Sequence, residues 1–194
     1  MPKLKESVFL EKRQHILMCA RQVFAQRGYE AATIKDILIA SSISNGALFV
    51  YFKSKRDILL VIIDENLGLF CKRIDEIADT AHEIEHEDAF LMLLEMVRSI
   101  SLGPGRAMSL HVWSASMVDE VIKSHLQMHF KSILRSITSL LVNLQKEGKL
   151  AKSVKVSKAA NGLFALFIPG YIVQLLFISA MEPRAYMDAH RALW

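Results

Sequence analysis

Apolar residues recur every three or four positions along most of the chain, the spacing of helices that bury one face. Ile16, Leu17, Ala20, Val23 and Phe24 predict a first helix over about 9–27, ended by Gly28 and preceded by a loose basic arm. Ile34, Ile37 and Leu38 give a short second helix one apolar face, and Ser41-Ser42 then interrupts the pattern. Ile43 plugs the corner. A third helix follows from Asn45 to about Tyr51, with Leu48 and Phe52 turned back into the core. Ile58, Leu59, Ile62, Ile63, Leu67, Phe70 and Ile74 mark a long helix from Lys55 to about Thr80, with no Gly/Pro linker before it. Phe90, Leu91, Leu94, Val97 and Ile100 mark another, which Gly103-Pro104-Gly105 breaks. A short helix over about 108–115 and a long amphipathic one over about 117–147 follow, the latter ending at Gly148. The last segment, Pro183 to Trp194, has room for one short helix. The fold class is therefore all-α, with about nine helices.

The stretch Thr33 to Lys55 carries the most chemistry. Thr33 and Asp36 stand at capping-box spacing, and Ser44 is placed to cap the third helix. That helix begins with small, uncharged residues. A recognition helix enters the major groove through its first turn, where bulk would hold it off the bases. Asn45 suits a bidentate contact with adenine, and the Ala47 methyl suits a thymine methyl. Gly46, Val50 and Tyr51 face outward or sideways. The helix N-terminus, Lys53, Lys55 and Arg56 suit phosphates. The competing reading is a helical hairpin of an ordinary bundle.

Arg13-Gln14-His15-Ile16-Leu17, Ala20, Phe24, Gly28-Tyr29, Thr33, Ile37, Ala40, Ile43-Ser44, Gly46, Leu48, Tyr51-Phe52, Lys55 and Leu59 together resemble the TetR family of bacterial repressors. The resemblance covers about the first sixty residues and is weaker beyond Leu59. It implies a three-helix, helix-turn-helix DNA-binding domain over 1–56, with the motif at about 33–52. A helical ligand-binding and dimerisation domain would occupy 57–194. Thr33, Ser44, Asn45, Gly46, Ala47, Phe49, Tyr51, Lys53 and Lys55 become the DNA-binding candidates. Three departures stand out. Phe49 occupies the place of a usual phosphate-binding tyrosine, so that contact is expected to be absent. Ser42 replaces a turn glycine, which implies strain. Leu38 replaces an alanine, which widens the gap between two helices.

Charge sharpens this picture. Residues 1–57 carry ten Lys/Arg against five Asp/Glu, and the rest of the 194-residue chain is slightly acidic. The whole excess of a +4 chain thus lies on the segment with the helix-turn-helix pattern. A 52% hydrophobic composition and positive mean hydropathy imply apolar surface beyond one core: a subunit interface, a lined cavity or a membrane. Two cysteines make no disulfide framework. Cys19 reads as a packed thiol. Cys71 precedes Lys72-Arg73, which can lower its pKa and leaves a redox sensor as an alternative. The N-terminal stretch MPKLKESVFLEKRQ has no long apolar run, so no signal peptide is expected, and a cytoplasmic location is inferred.

Three further patterns compete with this reading. His82-Glu83-Ile84-Glu85-His86 matches the H-E-x-x-H pattern of zinc proteases, but charged neighbours and the lack of a third ligand favour an exposed connection. His125 and His129 are one helical turn apart, yet the sequence offers no third ligand, so no metal site and no cofactor are expected. Gly162 to Met181 runs twenty residues without a charge, long enough to cross a bilayer. Pro169-Gly170, Tyr171 and Gln174 interrupt it, and a helix apolar on all sides also fits between a core and a partner subunit. A membrane-attached helical module remains the alternative on that stretch. No glycine-rich phosphate loop, G-x-S-x-G or Cys-x-x-Cys is present, and no enzymatic activity is expected.

The expectation is a ligand-responsive regulator, most simply a repressor on a palindromic operator, with a family member that has lost DNA binding as a second alternative. The resemblance implies a homodimer joined through about 156–194, with Gly170 and Gln174 where similar chains carry a glycine and a glutamine, and with a reduced last helix. A small, mostly apolar effector would sit in the body. Candidate lining residues are Phe90, Leu94, Met108, His111, Trp113, Met117, Phe130, Phe164, Phe167, Tyr171 and Gln174, since aromatic and methionine side chains suit an adaptable pocket.

Overall fold

A computed structural model describes residues 2–102, 108–173 and 181–191. Among them there are ten α-helices and no strand: α1 (Pro2–Arg27), α2 (Ile34–Ser41), α3 (Asn45–Tyr51), α4 (Lys55–Asp79), α5 (His86–Leu102), α6 (Met108–Ser116), α7 (Glu120–Lys146), α8 (Val156–Ala165), α9 (Tyr171–Val173) and α10 (Pro183–Arg191). The all-α expectation holds.

Two boundaries differ for identifiable reasons. The expected loose arm is helical, because nothing between Pro2 and Phe9 breaks a helix and proline is favoured in a first turn. The helix expected from Met117 starts instead at Glu120. Asp119 caps it, its Oδ1 accepting from the amides of Val121 at 2.9 Å and Ile122 at 3.2 Å. The run from Gly162 does not form one long rod. Pro169 has no N–H to give, and the backbone takes a π-helical turn over Leu166–Gly170 before α9. Among the described residues no helix is long and apolar enough to cross a membrane.

The chain divides into two compact units. The first takes in Met1–Glu65 and Pro104–Leu126. Its core is made by Ile16, Leu17, Ala20 and Phe24 of α1, Ile37 of α2, Leu48 of α3, and Ile58, Leu59 and Ile62 of α4, all wholly buried. Val112 and Ala115 of α6 and Ile122 of α7 complete it. Gly28 closes α1 at φ +77°, and a Cβ there would stand 3.1 Å from His111 Cε1. His111 thus lies against the end of α1. Arg56 at the start of α4 pairs with Asp119 at 3.1 Å. Glu65 draws together Arg21 at 2.7 Å and Gln14 at 2.9 Å from α1.

The second unit takes in Asn66–Gly103 and Gln127–Trp194. Ile74, Leu94, Ile133, Ile137, Leu140, Leu141 and Leu144 form its centre. Asn143 Nδ2 donates to Ala78 O at 3.0 Å, and Lys149 Nζ donates to the carbonyls of His82 and Ile84, both at 2.8 Å. The first bond ties α7 to the end of α4, and the lysine bonds tie the acidic turn to the chain just beyond α7. His82 lies in that turn and His86 opens α5, so the two do not share a helical face. Tyr171 is wholly buried against Tyr186, ring centroids 4.8 Å apart, and its hydroxyl donates to Met181 O at 2.9 Å. Burial pushes its pKa up to about 12.

Candidate nucleic-acid interface

The helix-turn-helix is held by caps at each corner. Thr33 Oγ1 accepts from the Asp36 amide at 3.2 Å while Asp36 Oδ2 accepts from the Thr33 amide at 2.9 Å, a reciprocal box. The hydroxyl and amide of Thr33 hold the Asp36 carboxyl below the usual carboxylate range, and Arg27 at 3.1 Å adds to this. Thr33 is therefore turned to its own helix. Ser44 Oγ accepts from the Ala47 amide at 3.2 Å and fixes the start of α3.

Between the helices Ser42 sits at φ +53°, the left-handed region in which glycine is at ease. The strain expected from a serine at this turn is present. The carbonyls around it are satisfied from α1 and from within α2. His15 Nε2 lies 3.1 Å from Ser41 O and must donate, since a carbonyl only accepts. Cys19 Sγ donates to Ala40 O at 3.4 Å, and buried Ser41 Oγ to Ile37 O at 2.6 Å. Burial pushes the Cys19 thiol up, which suits a packed group. Burial, with Asp75 beside it, also pushes Cys71 up. The lowering that Lys72-Arg73 could have given Cys71 is therefore not seen, and the redox-sensor alternative gains no support.

Along α3 one face is core and the other is open. Leu48 is wholly buried and Phe52 nearly so, whereas Asn45, Gly46, Phe49 and Val50 are exposed and Ala47 is half-buried. A Cβ on Gly46 would meet nothing within 4 Å. Glycine inside a helix costs about 1 kcal/mol against alanine, and here no internal contact requires it. Tyr51 is half-buried, its ring tilted 34° against that of Phe9 with centroids 4.6 Å apart, and Lys53 is exposed.

Lys55 is placed differently from a free phosphate ligand. Its ammonium donates to the carbonyls of Tyr29 at 2.7 Å, Ala32 at 2.9 Å and Glu30 at 3.2 Å, and stands 4.4 Å from the centre of the Tyr29 ring. It fastens the α1–α2 connection to the start of α4. Ser54 and Asp57, the two ends of a four-residue Ser-x-x-Asp signal, cap α4. Ser54 Oγ accepts from the Asp57 amide and Asp57 Oδ2 from the Lys53 amide, both at 3.0 Å.

The candidate pocket residues divide between the units. His111, Trp113 and Met117 belong to the first, where Met117 is 82% exposed in the turn after α6. Phe90, Leu94, Phe130, Phe164 and Tyr171 belong to the second, where Phe130 and Phe164 meet edge to face at 5.6 Å. Gln174 and the side chains of Met108 and Phe167 lie outside the described residues.

Residues 16–62 match the model of bacterial regulatory proteins of the tetR family. A fatty acid metabolism regulator protein of Bacillus subtilis is 32% identical over 65 residues, 34% of each chain. The HTH-type transcriptional repressor KstR2 of Mycolicibacterium smegmatis is 34% identical over 70 residues, 36% of this chain and 34% of that one. The chain thus aligns with about a third of the length of these curated relatives. The transcriptional regulator FadR from Bacillus subtilis, solved in complex with stearoyl-CoA, has a TM-score of 0.75 at 17% identity, covering 93% of this chain and 96% of that one. At that identity the likeness is one of fold. The capped helix-turn-helix of residues 33–52 thus lies within the segment, residues 16–62, that is similar to the tetR family of bacterial regulatory proteins.

Proposed function

We propose that the protein is a DNA-binding regulator of transcription, a homodimer released from a near-palindromic operator by a mostly apolar effector. The observation that supports this most is the open first turn of α3. Asn45, Gly46 and Ala47 offer an amide, a bare backbone and a methyl, and Gly46 lowers helix stability with no internal contact in return. A groove floor that must come close accounts for it. Phe49 offers an apolar edge where a hydroxyl would bond phosphate, and Lys53 offers an exposed charge. Two copies would set their α3 helices about 34 to 36 Å apart, one turn of duplex.

The division of labour follows the charge. Residues 1–56 would read DNA, and 57–194 would bind effector and join the subunits through about 156–194. Leu166 and Val173, 37% and 42% exposed, are apolar groups available to such a junction. The edge-to-face pair of Phe130 and Phe164, with Phe90 and Leu94, supports an apolar effector site in the second unit. A relative named for fatty acid metabolism and a similarly folded regulator holding stearoyl-CoA favour a long acyl chain as its class. Effector and operator would oppose each other by linkage.

The test is fluorescence anisotropy with duplex from the protein's own upstream region and with random duplex, across a salt series. Specific binding that weakens steeply with salt is expected. Asn45→Ala should reduce discrimination between the two duplexes by tenfold or more. Stearoyl-CoA should weaken operator binding. Absence of duplex binding even in dilute salt refutes the reading.

A further inference from the structure

The second unit contains a buried donor that no described residue satisfies. Among the described residues, the buried side-chain nitrogens without a hydrogen-bond partner are His86 Nδ1 and Arg98 Nε, both on α5. An imidazole can carry its proton on Nε2 and leave Nδ1 bare. A guanidinium has no such freedom, because its Nε always carries a hydrogen. A buried donor on a charged group calls for an acceptor.

The rest of the guanidinium is engaged. Arg98 Nη2 donates to Glu182 Oε1 at 2.7 Å, and Nη1 stands 3.9 Å from Glu95 Oε2. Nε and Nη2 together form one edge of the group, spaced for the two oxygens of a single carboxylate. Glu182 fills only the Nη2 half of that edge, and its side chain is 64% exposed. The Nε half is buried. Burial raises the pKa of Tyr171, and the Arg98 charge acts against that rise, so the guanidinium stands near this phenol. The neighbouring hydroxyls serve the backbone: Tyr171 donates to Met181 O and Tyr186 to Leu166 O, both at 2.9 Å. Leu94 and Phe90 stand four and eight residues before Arg98, on the two preceding turns of α5.

We propose that Arg98 binds the carboxylate of a fatty-acid-class effector, whose hydrocarbon chain lies in the apolar site proposed above, on which this assignment rests. The two carboxylate oxygens accept from Nε and Nη2 side by side, and Glu182 moves off into the solvent it already meets. Glu182 directly precedes α10, so the exchange opens an ion pair between α5 and the start of that helix. An alcohol of the same chain length brings no charge to the guanidinium and cannot fill its edge.

The experiment measures binding of dodecanoate and 1-dodecanol to the full chain by calorimetry, below the micellar range. Dodecanoate should bind about tenfold or more tighter than the alcohol. Arg98→Lys keeps a charge but has no fork, and should abolish most of that preference while leaving the alcohol's affinity unchanged. Arg98→Gln serves in its place should the lysine variant lose helical circular dichroism. Glu182→Gln removes the competing carboxylate and should tighten dodecanoate binding severalfold without affecting the alcohol. Equal affinity of the parent for acid and alcohol, or a preference for the acid that survives loss of Arg98, overturns the carboxylate site and leaves the apolar site standing. Stearoyl-CoA binding that falls in Arg98→Lys while dodecanoate binding does not overturns it too. Failure of both dodecanoate and 1-dodecanol to bind removes the apolar site and this one with it.

Discussion

Lys55 offers the sharpest trial of the structure, because its two roles predict opposite results. As a phosphate ligand its loss would weaken DNA binding and leave the fold alone. The structure instead gives its ammonium three backbone carbonyls, at 2.7, 2.9 and 3.2 Å, and the face of Tyr29. Hydrogen bonds to a charged group contribute about 1.5–3 kcal/mol in favourable cases. The Glu30 bond is exposed, so two of the three carry most of the effect. A cation over an aromatic ring near the surface adds about 0.5–1 kcal/mol. Lys55→Met keeps the hydrocarbon stem and removes the charge. Both bonds are only part-buried and water can reach the freed carbonyls, so the net cost falls below that sum, to roughly 2–3 kcal/mol, a fall in Tm of about 5–10 °C for a chain of this size. Urea and thermal unfolding measure this. Lys53→Ala, at an exposed site, should leave the unfolding curve in place and flatten the salt dependence of duplex binding by about one logarithmic unit per subunit. A Lys55→Met protein of parental stability, with a flattened salt slope, would refute the assignment of Lys55 to the fold.

Two further changes test the same module. Ser42→Gly removes the side chain from a residue at φ +53° and should stabilise the protein by about 0.5–1 kcal/mol in urea unfolding, the left-handed cost outweighing the extra freedom of glycine in the unfolded chain. Asp119 concerns pH. Burial raises its carboxyl pKa, but hydrogen bonds from the Ile122 amide, Arg56 and the Val121 amide outweigh that and hold it below the usual range. A depressed folded value contributes stability above the unfolded pKa of about 4, lost as pH falls through the folded value. Asp119→Asn, which can still cap α7, should therefore lose that acid-limb slope in stability measured between about pH 5 and 2. A slope equal to the parent's would show that Asp119 does not supply it.

Much of this module is legible in sequence because its signals are local. Thr33 and Asp36, Ser44 and Ala47, and Gly28 at the end of α1 act within one turn of where they stand, so spacing alone identifies them. Ser54 and Asp57 carry the same kind of local signal, masked by the phosphate-binding character of Lys53, Lys55 and Arg56 around them. The apolar faces of α1, α4 and α7 follow from period, and the buried residues of each lie on the expected stripe.

Partners distant in sequence are another matter, and the polar ones most of all. Periodicity assigns every polar residue off the apolar stripe to solvent, without saying which neighbouring helix stands there. Lys55 is 26 residues from Tyr29, and Asp64 is 61 from His125. Both read as surface charges on α4, yet each meets a group on another segment. The consequence differs by chemistry. A lysine that finds carbonyls becomes a fastener of the fold and leaves the DNA surface. A carboxylate that meets an imidazole, as Asp64 Oδ1 does His125 Nε2 at 2.7 Å, ties α4 to the start of α7. One feature of α4 links the two: it begins at Lys55 and presents Asp64 nine residues later, so a single helix carries both ties.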